Sequence, residues 1–200
     1  MKKIIMFAVL AYMAPMSYAE YDAEKGKDLT VTCLACHGEA GNSPASMFPN
    51  IAAQNAQYLL KQLLEIQSGQ RQVLTMTGIL DNLSESDLSD IAAYYESQPR
   101  NQGMAKQDLV ELGESIYRAG IPRKNIAACT ACHSPTGNGN GPAVFPALAG
   151  QWPEYTVAQL KSFQSGERHN DGDSQMMRST AMDMNEKEMT AVASYLFGLK

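Results

Sequence analysis

Helical periodicity of the apolar residues is clearest in two segments, one near the end of each half of the chain. Each segment starts with a residue type that commonly caps a helix, Ser84 in the first half and Asn185 in the second. The apolar residues that follow share one helical face; they are Leu88, Ile91, Ala92 and Tyr95 after Ser84, and Met189, Val192, Ala193 and Leu196 after Asn185. A helix with one buried face is therefore predicted at the end of each half.

Weaker helical patterns predict four more helices, at about residues 22–32, 55–67, 107–118 and 153–165. The stretches between them are rich in Gly, Pro and Asn. They show no alternation of apolar and polar residues that would indicate strands. The predicted fold class is all-α with long loops.

The two halves are copies of one unit. The pentapeptide "CLACH" at residues 33–37 recurs as "CTACH" 96 residues later, and similar segments follow each motif in the same order. Among them, "GNSPASMFPNIAAQ" matches "GNGNGPAVFPALAGQ", with Ala53 in the first copy where the second has Gly150. This duplication predicts two tandem domains, residues 20–100 and 101–200, each with its own small core.

The first residues have the pattern of an export signal. Lys2 and Lys3 precede an apolar run at residues 4–13, and Ser17 and Ala19 supply small residues at the two positions that signal peptidase reads. The run is too short for a membrane anchor, because a spanning helix needs about 20 residues. Residues 1–19 are therefore predicted to be a signal peptide that is cleaved on export to the periplasm.

The charge of the chain narrows the range of partners. The formal net charge is −5, and removal of the two lysines in the leader makes the remaining chain more acidic. An acidic protein is a poor match for nucleic acid, whose phosphates attract Lys and Arg. No later segment is apolar over enough residues to predict a transmembrane helix, although peripheral membrane association stays open.

All four cysteines lie in the two pentapeptides, as Cys33, Cys36, Cys129 and Cys132. In an oxidising compartment, they fit two disulfides. Two Cys-x-x-Cys pairs also fit a structural zinc site, and one pair in a βαβ setting fits a redox-active dithiol. None of these alternatives gives a role to the histidine that follows each pair.

A Cys-x-x-Cys-His sequence is the attachment signal of c-type haem. The two thiols form thioethers with the vinyl groups of one haem, and the next residue lies beneath the iron, so His37 and His133 are the candidate axial ligands. Two covalently bound haem c groups are therefore predicted. They also supply apolar bulk that two such small, loop-rich domains lack.

The second axial ligand is predicted from the repeat. His169 has no histidine counterpart in the first half and is expected at the surface. Met76 and Met177 occupy equivalent positions, in the loop expected before the last helix of each unit. Met176 is the adjacent alternative, and Met182 a more distant one. Ligation by His and Met leaves no open site on the iron and favours electron transfer over catalysis.

Other residues recur beside these motifs. Pro49 and Pro146 stand in matching Phe-Pro pairs, which predict either rigid turns or a nearby backbone carbonyl that orients each ligand histidine. Arg71 and Arg168 are equivalent, and are expected either to pair with haem propionates or to lie solvated at the surface. Three aromatic residues are expected to pack against the haem or the core, namely Trp152, Tyr58 and Tyr155.

These motifs, with "YLLKQL", "VLTMTGILDNLSESDLSDIAAYY" and "NDGDSQMMRSTA", resemble the dihaem cytochromes c, most closely the cytochrome c4 family, over nearly the whole chain after the leader. The resemblance implies two class I cytochrome c domains related by a pseudo-two-fold axis. It also implies that His37 and Met76 ligate one iron, and His133 and Met177 the other.

The resemblance further implies a periplasmic carrier that transfers electrons between respiratory partners, typically towards a terminal oxidase. Two alternatives remain open. A dihaem enzyme such as a peroxidase would need one iron open or weakly ligated. An electron-transfer subunit fixed to a dehydrogenase would share nearly all of these sequence features.

Overall fold

The computed structural model describes residues 21–200, so the predicted leader at residues 1–19 lies outside the described residues. The α-helices of this part of the chain are α1 (Ala23–Asp28), α2 (Leu34–His37), α3 (Ala56–Gln67), α4 (Glu85–Ser97), α5 (Val110–Ala119), α6 (Thr130–His133), α7 (Pro153–Ser165), α8 (Met176–Ala181) and α9 (Glu186–Gly198). Between residues 21 and 200, β-structure is limited to the isolated bridges Ile121–Ile126 and Asn140–Phe145. The all-α prediction is confirmed.

Both predicted caps are present. The Ser84 hydroxyl accepts a hydrogen bond from the backbone N–H of Asp87, and the Asp87 carboxylate accepts one from the backbone N–H of Ser84 at 3.0 Å. Asn185 and Glu188 exchange the same two bonds at the start of α9. These reciprocal bonds satisfy backbone donors that have no partner inside the helix, and so they fix where α4 and α9 begin.

The remaining helix predictions are partly correct. The middle helices α3 and α7 match their predicted ranges closely. The helix predicted at 22–32 ends at Asp28, and the Thr30 hydroxyl donates to the carbonyl of Lys27 as the chain turns towards the first cysteine. The helix predicted at 107–118 opens with a 3₁₀ turn, Gln107–Leu109, before α5 begins.

In each half, the first helix crosses the last helix at a glycine. A Cβ built on Gly26 in α1 would lie 2.0 Å from the carbonyl oxygen of Asp90 in α4. A Cβ on Gly113 in α5 would lie 2.3 Å from the carbonyl oxygen of Ala191, the residue of α9 equivalent to Asp90. No larger side chain fits at either crossing, so the two units share one helix packing despite their different loops.

Each half has a hydrophobic core of its own. The first core is Leu59, Leu63, Leu80, Leu88, Ile91, Ala92, Tyr94 and Tyr95. The second is Ile116, Tyr117, Ile121, Ile126, Ala149, Met184, Met189, Val192, Tyr195, Leu196 and Leu199. Among the described residues, no helix is both long and apolar enough to cross a bilayer. The boundary between residues 100 and 101 stays a prediction.

Candidate functional site

Two one-turn helices, α2 and α6, present the cysteine and histidine side chains. In the first, the backbone N–H of His37 donates to the carbonyl of Cys33 at 2.9 Å. Residues three apart on a helix are neighbours on its surface, so the turn brings Cys36 next to Cys33. The same bond joins His133 to Cys129 at 2.9 Å. Each pentapeptide is therefore one rigid turn that carries two thiols and an imidazole.

The other uses of the cysteines find no support in this geometry. Cys33, Cys36, Cys129 and Cys132 are all free and half-buried, so the disulfide alternative is not formed. Within residues 21–200, no three His, Cys, Asp or Glu side chains lie close enough together to hold a metal ion, which removes the zinc alternative from this part of the chain. The βαβ setting of a redox-active dithiol is absent from the described helices and bridges.

Both motif histidines are buried and held by a proline carbonyl. The Nδ1 atom of His37 lies 3.0 Å from the carbonyl oxygen of Pro49, and that of His133 lies 2.9 Å from the carbonyl oxygen of Pro146. A carbonyl only accepts, so Nδ1 carries the proton in each ring and the Nε2 lone pair is left free. Of the two alternatives for Pro49 and Pro146, these contacts favour the carbonyl that orients each histidine.

The histidine environment keeps the rings neutral. Burial lowers the pKa of His37 and of His133, and this effect outweighs the proline carbonyl, which acts in the opposite direction. A neutral imidazole is the form that binds a metal. Phe48 and Phe145 stand edge-on to these rings, with ring centroids 6.5 and 6.3 Å apart, and so add apolar walls at equivalent places.

A single cavity of about 1000 Å³ joins the two halves. All four cysteines and both motif histidines line it, and so do apolar side chains such as Leu59 of α3 and Phe163 of α7. The donor set suits haem c, because each half offers two free thiols and an imidazole with an available Nε2 beside an apolar space. The residues present therefore fit one haem group in each half.

The methionines occupy different local structures from those predicted. Both were expected on loops, but Met76 ends a 3₁₀ turn, Leu74–Met76, and Met177 lies in the first turn of α8. Both are half-buried and both line the cavity. Met176 also lines it but is 45% exposed, and Met182 is 59% exposed and lies outside the cavity lining. Of the four, Met76 and Met177 are the two that are both half-buried and in the cavity lining, and their role as iron ligands stays a prediction.

Arg71 and Arg168 are not solvated surface residues, and that alternative was wrong. An Arg71 Nη atom donates to the hydroxyl of Tyr155 at 3.0 Å, and Arg168 donates to the hydroxyl of Tyr58 at 3.0 Å. Each arginine therefore reaches a tyrosine of the other half. Both also line the cavity, so pairing with haem propionates stays a prediction.

Two glutamines, one from each half, accept hydrogen bonds from both arginines. The Oε1 atom of Gln62 accepts from Arg71 at 2.8 Å and from Arg168 at 3.1 Å. Gln159, its counterpart, accepts from Arg168 at 2.6 Å and from Arg71 at 3.2 Å. Neither role was predicted from the sequence, although the two glutamines occupy equivalent positions in the repeated segments "YLLKQL" and "YTVAQL". We call these six residues the junction network; they are Arg71, Arg168, Tyr58, Tyr155, Gln62 and Gln159.

The junction network concentrates positive charge between the halves. The Arg168 and Arg71 cations lower the pKa of Tyr58 even though burial, the largest single influence, raises it. Burial acts to lower the pKa of Arg71, but the nearby Tyr155 and Tyr58 hydroxyls leave the pKa of Arg71 raised. The network thus holds two guanidinium groups, which are cationic in proteins, in an otherwise acidic protein. Such a site suits anionic carboxylates.

A second set of reciprocal hydrogen bonds joins a glutamine side chain of each half to the backbone of the other half. The amide of Gln54 accepts from the backbone N–H of Ala147 at 2.8 Å and donates to its carbonyl at 3.0 Å. Gln151 makes the same two bonds with the backbone of Asn50, both at 2.8 Å. Neither glutamine was identified from the sequence, although both end the repeated "AAQ" and "AGQ" segments.

The remaining sequence candidates have structural roles. Trp152 does not serve the first or second core but stacks on Phe197, with ring centroids 4.9 Å apart, and donates its indole N–H to the carbonyl of Ser43 at 3.1 Å. His169 is exposed, as expected. Tyr58 and Tyr155 belong to the junction network, and their role is hydrogen bonding rather than packing alone.

The fold and the two sites define a two-domain c-type cytochrome. A family model described as Cytochrome c matches residues 23–99 and again residues 110–200. Cytochrome c4 of Pseudomonas aeruginosa is 45% identical over 200 residues, which cover 100% of both chains. The crystal structure of reduced recombinant cytochrome c4 from Pseudomonas stutzeri is 46% identical, with a TM-score of 0.89 over 90% of this chain and 100% of that one. A thiosulfate dehydrogenase electron acceptor of Stutzerimonas stutzeri is 36% identical over 82% of this chain and 77% of that protein.

The chain therefore belongs to the cytochrome c4 family of dihaem cytochromes. It carries two covalently bound haem c groups, one at each Cys-x-x-Cys-His motif, and it is an electron carrier with redox partner proteins rather than an enzyme.

Proposed function

We propose that this cytochrome works in the periplasm and passes electrons between respiratory partners, with a terminal oxidase as the final acceptor. We further propose that His37 and Met76 ligate one iron, and that His133 and Met177 ligate the other. The observation that supports this most directly is the single cavity, which two equivalent sites share. Each site offers a neutral imidazole and a half-buried thioether to one metal.

When bound, each haem iron accepts and releases one electron. The chain's own residues prepare the site for this. Pro49 and Pro146 hold the imidazoles in one orientation, which limits rearrangement when the charge on the iron changes. The thioethers of Met76 and Met177 would occupy the sixth coordination position, so that peroxide finds no open metal site. The apolar walls limit access of water.

Single substitutions of the methionines test the ligand set. Met76→Ala and Met177→Ala should each abolish the methionine-to-iron charge-transfer band of one oxidised haem and leave that of the other, because each thioether serves one iron. Visible and far-red absorption of the oxidised protein measures this. Met176→Ala is the matched control, since Met176 is adjacent but more exposed, and it should leave both bands intact.

Three results would reject this assignment. A high-spin haem in the unsubstituted protein, or rapid turnover of hydrogen peroxide, would favour the dihaem peroxidase alternative. Loss of a band in Met176→Ala, with both bands retained in Met177→Ala, would make Met176 the ligand of the second haem.

A second candidate donor has support from one relative. The protein named a thiosulfate dehydrogenase electron acceptor shares 36% of its aligned residues with this chain. A dehydrogenase is therefore a candidate electron donor, either as a transient partner or as the enzyme to which this cytochrome is fixed. Size-exclusion chromatography of the native periplasmic fraction separates these cases. A free shuttle elutes at its own mass, about 22 kDa before removal of the leader, whereas a subunit elutes with the enzyme.

The acceptor is tested with the reduced protein and isolated membranes. Oxygen uptake should rise when the reduced cytochrome is added to membranes that contain the terminal oxidase, and cyanide, which blocks the oxidase, should abolish the increase. Absence of any increase would remove the oxidase from the proposal. Cell fractionation tests the location, because a cytosolic protein that retains residues 1–19 would contradict export.

A further inference from the structure

One buried hydroxyl of the first half makes no hydrogen bond to the rest of the chain. It belongs to Tyr95 of α4, a residue that is only 1% exposed, and it has no partner among residues 21–200. Every other fully buried side-chain nitrogen or oxygen of these residues has one. A buried hydroxyl without a bond costs free energy, so a hydroxyl of this kind commonly has a role in a functional site.

Packing confines the ring that carries this hydroxyl. Tyr95 belongs to the first hydrophobic core, and its ring centroid lies 5.1 Å from that of Tyr94. A Cβ built on Gly41 would lie 2.7 Å from the Tyr95 ring, so the Gly41 backbone packs directly against it. Tyr95 also lines the cavity. The hydroxyl is therefore held inside the protein and cannot turn out to solvent.

The thiol of Cys33 lies beside this hydroxyl. Cys33 packs against the first core, and both residues line the cavity. Burial raises the pKa of the Cys33 thiol, and the Tyr95 hydroxyl acts in the opposite direction, as a hydrogen-bond donor to the sulfur does. Burial also raises the pKa of Tyr95, so the hydroxyl keeps its proton. A thioether sulfur has no proton and can only accept, so the phenol is the donor in a bond between these groups.

Thr30 is the second polar group beside the Tyr95 hydroxyl. The Thr30 hydroxyl is buried and donates to the carbonyl of Lys27 at 2.7 Å. Its single proton is used in that bond, so Thr30 offers Tyr95 only a lone pair. The Tyr95 hydroxyl therefore has two neighbouring acceptors, the Thr30 oxygen and the Cys33 sulfur, and an experiment has to distinguish them.

The second half has no donor equivalent to Tyr95. Its counterpart in the repeat is Leu196, which has no polar group. Tyr117 lies four residues after the crossing glycine of α5, where the first half has Thr30. The Tyr117 hydroxyl is already used, because it donates to the carbonyl of Ser134 at 2.6 Å. Attachment of haem therefore does not require a hydroxyl at this place, and Tyr95 distinguishes the first site from the second.

We propose that Tyr95 is a positioning residue of the first haem site, and that its hydroxyl donates a hydrogen bond to the Cys33 sulfur. The bond withdraws electron density from the thioether and so favours the reduced state of the attached haem. It acts on one site only, since Leu196 cannot donate. This inference deepens the proposed carrier function and rests on attachment of haem at Cys33. It does not depend on the methionine ligands or on the redox partners.

Tyr95→Phe in the holoprotein tests the proposal, because it removes the hydroxyl and keeps the ring. Spectroelectrochemical titration gives two midpoint potentials, and proton NMR assigns each through Phe48 or Phe145, the rings beside the two motif histidines. The potential of the first haem should fall, and that of the second should stay. The equilibrium constant for electron exchange between the haems should change about threefold, the effect of part of one hydrogen bond. Two unchanged potentials would overturn the proposal.

Resonance Raman spectra of the reduced protein report on the thioether itself. A carbon–sulfur stretching band should shift in Tyr95→Phe. Tyr94→Phe is the matched control, since Tyr94 is adjacent in α4 but its hydroxyl donates to the carbonyl of Glu39 at 3.3 Å. It should leave the bands and both potentials unchanged. An equal fall of the first potential in Tyr94→Phe would show that the effect does not come from the Tyr95 hydroxyl, and the proposal would be wrong.

Thr30→Val removes the other acceptor beside Tyr95. It should leave the potential of the first haem unchanged, because the Thr30 oxygen is not the partner in the proposed bond. A fall as large as that in Tyr95→Phe would make Thr30 the partner and would overturn the proposal. So would a gain in the free energy of unfolding of Tyr95→Phe without a shift in potential, since that result shows a hydroxyl with no bond to lose.

Failure of this inference can be distinguished from failure of the carrier function. A high-spin haem in the unsubstituted protein would reject the carrier, whatever Tyr95→Phe shows. If the unsubstituted protein and Tyr95→Phe both keep their methionine-to-iron bands and are both oxidised fully by ferricyanide, unchanged potentials reject only the role of Tyr95. Loss of a band in Tyr95→Phe would show that the substitution displaces an iron ligand, and would also overturn the proposal.

Discussion

Ala53 holds a backbone conformation that its side chain disfavours. Its φ angle is 52°, in the left-handed region, whereas the equivalent residue in the second half is Gly150, with φ of 70°. Both residues donate their backbone N–H to the last helix of their half, Ala53 to Tyr95 at 2.8 Å and Gly150 to Leu196 at 2.9 Å. The conformation is therefore imposed by the fold in both halves, and only the second half has the residue that adopts it without strain.

Replacement of Ala53 by glycine should stabilise the first half. Relief of the left-handed strain exceeds the entropic cost of glycine, so the free energy of unfolding should rise by about 0.5 kcal/mol. Urea unfolding followed by haem absorbance measures it. Ala93→Gly, a matched change inside α4, should lower stability by about 1 kcal/mol. A loss of stability in Ala53→Gly would show that the left-handed conformation carries no strain.

Site residues could be predicted from the sequence when the residues that act together are close to one another along the chain. Cys33, Cys36 and His37 were identified because attachment of one haem uses adjacent residues. The environment of Arg71 was not predicted, since its partner Tyr155 is in the other half and no spacing in the sequence records that contact. Positional equivalence in a repeat identifies candidate residues but not which half they contact.

Helices α1 and α4 are joined by one lysine as well as by the glycine crossing. The Nζ atom of Lys25 lies 2.8 Å from a carboxylate oxygen of Asp87 and 2.8 Å from one of Asp90. Asp87 also accepts from the backbone N–H of Ser84, so the N-terminal cap of α4 and the ion pair share one carboxylate. The hydrogen bond from Lys25, then that from Ser84, lowers the pKa of Asp87 to about 2.

This shared carboxylate gives the first half a specific dependence on acid. A carboxylate whose pKa is depressed in the folded state stabilises fully above its unfolded pKa, about 3.9, and loses that contribution as pH falls towards 2. Asp87→Asn should therefore be less stable than the unsubstituted protein above about pH 4, and the difference should narrow as pH approaches 2. Urea midpoints measured across this range test it; a difference independent of pH would contradict the ion pair.

Element length decided which helices could be predicted. Helices α3, α4, α7 and α9 span three turns or more, so their apolar faces are visible in the sequence. Helices α2, α6 and α8 have four to six residues, which is too short for a periodic pattern, and they were not predicted. The early end of α1 was missed because the chain leaves the helix to reach Cys33, a requirement of the site rather than of helix propensity.

At the scale of the whole molecule, the junction network makes the two halves depend on each other. It buries two charged arginines against hydroxyl and amide oxygens of both halves, and hydrogen bonds to a charged donor stabilise more than neutral ones. Separation of the halves would break the bonds of each arginine to the tyrosine and the glutamine of the other half. We therefore expect the two domains to unfold as one unit, despite their separate hydrophobic cores.

A double-mutant cycle between Arg71 and Tyr155 measures this coupling. Arg71→Ala and Tyr155→Phe should show an interaction energy of about 1.5 kcal/mol, because they remove one charge-assisted bond between the halves. Denaturant unfolding of the two single variants and the double variant gives the value. The control pair is Arg71→Ala with Tyr94→Phe, a tyrosine bonded within the first half, and it should be additive. Equal results for both pairs would remove the junction network as the source of coupling.

Equivalent residues of the two halves make equivalent hydrogen bonds to each other's half, and this symmetry has an evolutionary consequence. The bonds between Gln54 or Gln151 and the opposite backbone, and the bonds from Arg71 or Arg168 to the tyrosine of the other half, each have their mirror in the other half. The first half alone thus contains both sides of these bonds, as each protomer of a symmetric dimer does. A single-domain ancestor with these residues would have paired with an identical copy before duplication joined the two in one chain. In that history, the pairing of the domains is older than the chain that carries them.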